Sequence, residues 1–446
     1  MSDDFLAAHE SQLAAAHLPR NLWAALEYKL NNEIFDAGDS LTLLYDETSH
    51  HWGVYAKVDL HVADPNGVYL VDHCWTFRPD GRVRERLHQL PIESLNRIFE
   101  IVTFAAPKTT EEVEENLKMD SGQKIEIILK EMWRVCQTYS LSSQNMSAED
   151  RQPWWYLADE LGCRVKCAVD ADAANCRLFP LLHAPSRCAF SVLFVNRDIE
   201  EEEELLRDYA ECFGASRRPD WRPYYLYPWL GGDFVDEDYQ IPKTALQHFE
   251  SSRAMDLLPP SDSMIADQIS ADQIDDNKSV KLVYSDHDQI TKHLSGSGRY
   301  AVTVDASEAD ILWLSSHFYD FRELARSRPR QLINQFPFES VLTVKDLLSA
   351  AVYNHWLESD NTNGGVIDPT SLASRPSWLA TTFNLHTQLP QFVAYFQRRR
   401  KMGLDNAWIV KPWNLARSLD THVTASLAHI IRLVESGPKD VRQFFM

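Results

Sequence analysis

No stretch of this sequence stays apolar for long. The longest clean run, Cys188–Val195, falls far short of the roughly 20 residues that a membrane-spanning helix needs. The opening, MSDDFLAAHESQL, has neither the basic start nor the apolar core of a signal peptide. A cytosolic or nuclear protein is expected, in which the sequons at Asn145 and Asn277 stay idle. Cysteine is sparse: seven residues, all at or before Cys212, with no C-x-x-C pair. In a reducing compartment these are free thiols. Cys163, Cys167, Cys176 and Cys188 could be drawn as a zinc site, but their spacing is irregular, and buried or idle thiols are the better reading.

The short catalytic signatures are missing as well. There is no GxGxxG, no GxxxxGK[ST] and no HExxH, and Gly296-Ser-Gly298 lacks the spacing of a nucleophile elbow. Histidines such as His50, His51 and His287 are scattered and read as surface or satisfied core. Basic charge is scarce and unevenly spread. Residues 301–446 carry 15 Lys and Arg against 14 Asp and Glu, whereas the first 300 carry 29 against 51. So acidic a front repels nucleic acid and anionic membrane, and neither is expected as a partner. The near-neutral rear can hold a local basic face, for which Arg398, Arg399, Arg400 and Lys401 are the densest candidate. Taken alone, that run reads as a solvated helix end.

What is present is a folded chain. At 446 residues, 44% apolar and 24% charged, two domains are expected. Trp23, Leu26, Leu30 and Ile34 share one helical face, with Gly38 as the stop. HHWGVYAKVDLHV and NGVYLVDHCWTF read as strands joined in a hairpin by the turn Asp64-Pro-Asn-Gly67. A helix is expected from Gln123 to Tyr139 on the stripe Ile125, Ile128, Met132, Trp133 and Cys136. WWYLADE and AFSVLFV read as extended. Glu200–Glu204 reads as a solvated helix start. WRPYYLYPW (221–229) is a partner surface or a proline-stiffened packing segment, with packing preferred because aromatics are usually buried. Residues 251–279 turn polar and acidic, with Pro259-Pro260 and the echo IADQ, SADQ, IDDN, which marks a linker. Beyond it strands and helices alternate (KLVYSD, His287–Leu294, RYAVTV, ADILWL, FYDFRELARS), the order of an α/β unit with a largely parallel sheet. AWIVKP follows as another strand. The division is 1–250, an α+β domain; 251–279, an acidic linker; and 280–446, an α/β domain.

Four stretches of the rear half, in order, resemble the tubulin–tyrosine ligase-like family. Asn334-Gln-Phe-Pro337 with Leu342-Thr-Val-Lys-Asp-Leu347 resembles its Asn and Leu-Thr-x-Lys-Asp block. Trp378–Phe383 with Leu389-Pro-Gln-Phe392 resembles its Pro-x-Thr-Phe strand and following helix. Trp408-Ile-Val-Lys-Pro412 resembles its Trp-Ile-x-Lys-Pro strand, and Asn414–Val423 a variant of the loop after it. The resemblance implies a partial ATP-grasp domain at 280–446 preceded by a SET-like α+β domain. Working members join an amino acid to a tubulin carboxylate through an acyl-phosphate, using ATP and magnesium. Carried over, Lys345 and Lys411 are the lysines that approach the nucleotide phosphates, and Arg417 is the arginine of the loop behind them. A lysine at a strand end is a point charge suited to a polyphosphate.

The sequence departs from the family in three places. Working members follow the strand lysine with a loop of the Ser-Arg-Gly-x-Gly-Ile kind, whose glycines let backbone N–H groups close on phosphate. Here Ala416-Arg-Ser-Leu-Asp420 keeps Arg417 and has neither glycine, and Asp420 adds a repulsive charge. The family's downstream Glu-x-Asn motif is not reached before Met446, and DVRQFFM reads as the end of a truncated form. Finally, SET enzymes carry Asn-His-x-Cys, whereas Asp72-His-Cys-Trp75 lacks the Asn and misplaces the Cys, so His73 and Cys74 read as structural.

The expectation is a non-catalytic member, a pseudoenzyme that uses no cofactor or metal. It binds tubulin or other proteins, modulates tubulin or histone modification and signalling, and offers Arg398–Lys401 to acidic tails. It sits in the cytoplasm, with microtubule association and a nuclear share. The alternative is an ATP-dependent carboxylate–amine ligase active only in a longer product; a minor alternative is a SET-like lysine methyltransferase.

Overall fold

The computed structural model describes residues 2–46, 51–103, 119–139, 153–213, 218–251, 256–259, 280–294, 298–359, 365–412 and 421–436. Contacts divide the chain into two compact units, Met1–Tyr239 with Leu385–Met446, and Gln240–Asn384. This grouping differs from the sequence-based division, because the last 62 residues pack with the first unit rather than with 280–384.

The first unit opens with helix Asp3–Ala15, where the Phe5 N–H donates to the Ser2 hydroxyl at 3.2 Å and the first turn carries Asp3 and Asp4, the favourable sign there. Helix Trp23–Asn32 buries Trp23, Leu26 and Leu30. It ends at Glu33 in a left-handed conformation (φ 50°), before Ile34 and Gly38 where the stop was expected. Among the described residues the strands that follow are β1 Leu41–Asp46, β2 His51–Ala56, β3 Val68–Val71, β4 His73–Phe77, β5 Gln137–Tyr139, β6 Trp154–Ala158, β7 Lys166–Cys167, β8 Cys176–His183, β9 Cys188–Val195 and β10 Leu206–Arg207. They form a ribbon β1-β2, a sheet β3-β9-β8-β10-β7 and a sheet β4-β6-β5.

The expected hairpin across Asp64–Gly67 does not form. The turn itself is there, with Gly67 N–H donating to the Asp64 carbonyl at 3.1 Å and Asn66 N–H to the Asp64 carboxylate at 2.9 Å. Yet β2 pairs with β1, and β3 leaves the turn to pair with β9. The reason is burial. All four residues of β3 are buried, so both of its faces need cover. Val68 and Leu70 enter one core with Leu26, Val192 and Phe194; Tyr69 and Val71 enter another with Ile98, Ile125, Ile128 and Leu193. Each such buried side chain contributes roughly 1.5–3 kcal/mol.

Helix Ser121–Glu131 has a capping box from Asp120 and Gln123, and the expected stripe Ile125, Ile128, Met132, Trp133 and Cys136 is buried. The helix does not reach Tyr139: after a tight turn at Met132–Arg134 the chain becomes β5, paired with β6. Nor does Glu200–Glu204 start a helix. Its backbone runs beside β2, with Glu202 N–H donating to Ala56 O (2.9 Å) and Ala56 N–H to Glu203 O (3.0 Å), while Arg197 and Lys166 pair with Glu203 and Glu204. The 221–229 segment packs inward, burying Trp221, Tyr225, Leu226 and Pro228.

The C-terminal part of this unit comprises helix Leu389–Lys401, an antiparallel ribbon of two strands, 408–410 and 422–424, and helix Leu427–Ser436. Leu433 joins the core of Ile125 and Ile128. Arg432 is fully buried; its guanidinium donates to the Cys136 carbonyl at 2.7 Å and lies over the rings of Trp229 (4.8 Å) and Trp155 (5.8 Å). No helix among the described residues is long and apolar enough to cross a membrane.

The second unit holds β11 Lys281–Ser285, β12 Tyr300–Val302, β13 Ile311–Trp313 and β14 Leu332–Ile333, all parallel, in the order β12-β11-β13-β14. The expected alternation of strands with helices 288–293 and 321–327 is present; β14 and helix Lys345–Ser359 are additional. Trp378–Phe383 is not a strand, although helix Leu389–Lys401 follows as expected. AWIVKP is a strand, but it belongs to the antiparallel ribbon of the first unit and not to the parallel sheet. Of the linker 251–279, the described residues are 251 and 256–259; Leu257 N–H donates to Tyr319 O at 2.8 Å, so this part is strapped to the unit.

Arg432→Ala should cost about 3 kcal/mol in urea unfolding, from a cavity and a stranded Cys136 carbonyl, whereas Arg432→Met, which refills the volume, should cost less. Equal losses would show that the guanidinium, not the packing, anchors the helix.

Candidate anion-binding strand and basic helix end

Lys411 directly follows the strand Trp408–Val410, here β15, whose partner His422–Thr424 is β16. An isolated two-stranded ribbon is marginal in water, so something must anchor this one. Trp408 does, edge-on to Phe392 (5.1 Å) and Tyr395 (5.9 Å) of helix Leu389–Lys401, and Val410 packs on the first unit's main core. Residues alternate along a strand, so Ile409 and its register partner Val423 take the outer face, 54% and 74% exposed. Lys411 is exposed too. It is a solvated point charge beside an open apolar face. Arg417 and the rest of the loop 413–420 lie outside the described residues.

Lys345 is exposed as the first residue of helix Lys345–Ser359. A cation at that end opposes the helix dipole, so the lysine adds nothing to helix stability. Its neighbour Asp346 is tied to His248 Nε2 at 3.1 Å and faces the Asn384 amide at 3.5 Å. Lys345 lies in the 240–384 unit and Lys411 in the other.

The basic run ends helix Leu389–Lys401, where cations face the negative pole of the helix. Arg399 caps that end, donating from Nε (3.1 Å) and Nη2 (2.7 Å) to the Asp405 carbonyl. Arg398 lies over Tyr239 at 4.6 Å and within 3.8 Å of Asp236. Two of the four are therefore engaged locally. Arg400, over the Phe396 ring at 5.2 Å, and Lys401 are exposed.

His73 is half-buried among side chains of three strands. Its ring stacks on Tyr156 at 3.8 Å, and its Nε2 lies 3.0 Å from the Ser191 hydroxyl, which donates to the Tyr156 hydroxyl at 2.9 Å. This chain ties β4 and β6 to β9, and burial pushes His73 down to about 3. Burial also pushes the Cys74 thiol up. The thiols of Cys163, Cys167 and Cys176 each donate to a backbone carbonyl at 3.3–3.5 Å, and Cys188 is exposed. Among the described residues no group of three or more His, Cys, Asp or Glu is placed to hold a metal ion.

Two constellations escaped the sequence reading. His429 stacks face to face on Trp133 at 3.5 Å, and burial, with a smaller contribution from His422, pushes it down to about 3. With Arg432 three residues later, a polar pair on the apolar face of SLAHIIRLV was the available signal. In the other unit, buried Asp256 accepts from Phe338 N–H (2.6 Å) and lies 2.7 Å from His317 Nε2, with Glu339 3.7 Å from Nδ1. Nothing in the local sequence links residues 256, 317 and 339.

Two family models match the sequence. Residues 46–233 match the tubulin tyrosine ligase SET-like domain, and residues 323–445 match the tubulin-tyrosine ligase family. The second match begins in one compact unit and ends in the other. The sequence is 33% identical to tubulin–tyrosine ligase-like protein 12 of Caenorhabditis elegans, over 99% of this chain and 70% of that protein. It is 34% identical to the protein of that name from Homo sapiens and 33% to that from Mus musculus, in each case over 99% of this chain and 66% of the relative. The chain thus spans about two thirds of the length of these relatives.

His73 and His429 are both held down to about 3, against an unfolded value near 6.5. The folded state therefore stays neutral there while the unfolded state takes a proton. Stability should be full above about pH 6.5 and fall as pH drops toward 3, by about 1.4 kcal/mol per pH unit for each histidine. His429→Phe should remove one such share, read as the difference in urea unfolding between pH 6 and pH 4. An unchanged slope would show that the folded ring takes the proton.

Proposed function

The chain belongs to the tubulin–tyrosine ligase family, and from that premise we propose that it is a non-catalytic member that binds tubulin or other protein partners and modulates their modification by other enzymes. The observation that carries this reading is the segment Ala416-Arg-Ser-Leu-Asp420 after the strand lysine. An ATP-grasp ligase closes backbone N–H groups over the nucleotide phosphates, which needs glycine where the chain turns tightly against an anion. Leucine and aspartate in those positions bring bulk and a negative charge to where phosphate would approach. Lys411 and Lys345 keep their charge but lose the cradle. On this reading the protein uses neither ATP nor magnesium.

Binding then falls to surfaces. The exposed Arg400 and Lys401, backed by Arg398 and Arg399, suit the glutamate-rich tail of a tubulin-like partner, which gives a contact whose strength depends on salt. Histone modification and signalling are further processes it modulates in this role. Its place is the cytoplasm, along microtubules, with a nuclear share. The second reading, an ATP-dependent carboxylate–amine ligase, is favoured by the retention of both lysines in exposed positions. The methyltransferase reading has no such support, since His73 is committed to Tyr156 and Ser191.

A thermal-shift titration with ATP and magnesium separates the two readings, because a ligand that binds only the folded state must raise its melting temperature. No shift is expected up to millimolar nucleotide. A stabilisation that Lys411→Ala removes would establish the ligase-type site. For the partner surface, Arg400→Glu with Lys401→Glu should weaken binding to tubulin several-fold and flatten its salt dependence. Tubulin with its acidic tails cleaved should bind wild type and variant alike; a variant that binds intact tubulin as well as wild type does rules this surface out.

A further inference from the structure

The four parallel strands of the 240–384 unit run in the order β12-β11-β13-β14, so the chain leaves β11 to one side and then crosses back to the other. Sheets with such a reversal take ligands in the crevice beyond the carboxyl ends of the two strands that flank it, here β11 and β13. The last rung between them is Ser285 with Trp313. Asp286 stands one residue beyond that rung, and Ser315 and Ser316 stand just beyond it on the other strand.

The donors there converge on one group. Ser315 N–H donates to Asp286 Oδ1 at 2.6 Å, while Ser316 N–H at 3.0 Å and the Ser316 hydroxyl at 2.7 Å donate to Oδ2. Each carboxylate oxygen has its own backbone N–H, an arrangement that fits a planar two-oxygen group better than a tetrahedral one. The hydrogen bonds from Ser315 and Ser316 hold the Asp286 carboxyl well below the usual carboxylate range.

The loop is fixed from behind. The Asn334 side chain bonds both the N–H and the carbonyl of Leu314 (2.9 and 3.0 Å), and Gln335 bonds Phe318 N–H and the Leu314 and Ser316 carbonyls. His317 is held by buried Asp256. The serine donors thus keep their aim whether or not Asp286 is in place, which is how a binding site is preorganised. Asp286 itself is exposed, so water can take its place and it is not locked in by packing.

We propose that Ser315 and Ser316 form a carboxylate seat at the switch point of this unit, occupied in cis by Asp286, for which the carboxylate of a peptide or small acid competes. The tether makes Asp286 a competitor with an effective concentration on the order of millimolar or higher, so external ligand binds wild type only weakly. The alternative is a plain structural staple that ties the carboxyl ends of β11 and β13 together. The two differ in what happens when the aspartate is removed.

In the full chain, Asp286→Ala titrated with acetate at constant ionic strength should gain melting temperature and bind acetate at least tenfold more tightly than wild type. Adding Ser316→Ala to that variant should abolish most of the response, and inorganic phosphate should bind less well than acetate. An acetate response equal in Asp286→Ala and wild type, or one that survives loss of the Ser316 hydroxyl, would sink the seat. Tighter binding of phosphate than acetate would overturn the carboxylate assignment. Should Asp286→Ala not fold, Asp286→Asn keeps the shape and weakens the cis occupant; its acetate response must then exceed that of wild type, and parity refutes the proposal.

Discussion

Val68 and Leu70 face one core while Tyr69 and Val71 face the other, and this two-sided burial of β3 with its neighbour β9 is the constraint on which the first unit is arranged. A strand apolar at every position cannot sit in a hairpin with one wet face. It needs a layer on each side. The helices Asp3–Ala15 and Trp23–Asn32 supply one, and the helices Ile92–Thr103 and Ser121–Glu131 the other. From this follows the failure of the simple turn-joins-strands reading at Asp64–Gly67. Turn chemistry fixes where the chain reverses, not which strand it meets next.

The same core explains why the segment after Leu385 groups with the first unit. Helix Leu427–Ser436 brings Ile430, Ile431 and Leu433 to an apolar surface, and places Arg432 and His429 among Trp133, Trp155 and Trp229. A buried guanidinium between indole faces contributes both charge–quadrupole attraction and packing of its stem. The ribbon that carries Lys411 is therefore attached to the SET-like region by its neighbours in sequence, while the Lys345 block belongs to the other unit.

Much of this was legible in the sequence, for reasons specific to each element. The stripe from Ile125 to Cys136 has helical spacing and is buried, but the helix stops early because Val135–Tyr139 is rich in strand formers and has β6 as a partner. The alternation after residue 280 gave the parallel sheet. Glu200–Glu204 misled because a charge run shows solvation and not conformation, and its backbone was free to pair with β2. The family blocks located Lys345 and Lys411, yet nothing local assigns them to different units. Asp286 with Ser315 and Ser316, and Asp256 with His317, are contacts across dozens of residues, which no window of sequence can show.

The basic helix end shows how structure narrows a compositional signal. Four consecutive cations suggest one electrostatic patch, but they do not carry equal weight. Arg399 spends its donors on the Asp405 carbonyl, and Arg398 lies against Tyr239 with Asp236 nearby, so their charge already stabilises the helix end. What remains for an acidic partner is a field set by two exposed side chains on a chain whose first 300 residues are strongly acidic. Beyond a Debye length of about 8–10 Å that background is screened, and the local pair dominates. On the proposed role, contact with an acidic tail at this place is short-ranged and weak per site. Useful affinity has to come from a second contact elsewhere on the same partner, since linked weak contacts reinforce one another only where geometry lets both engage.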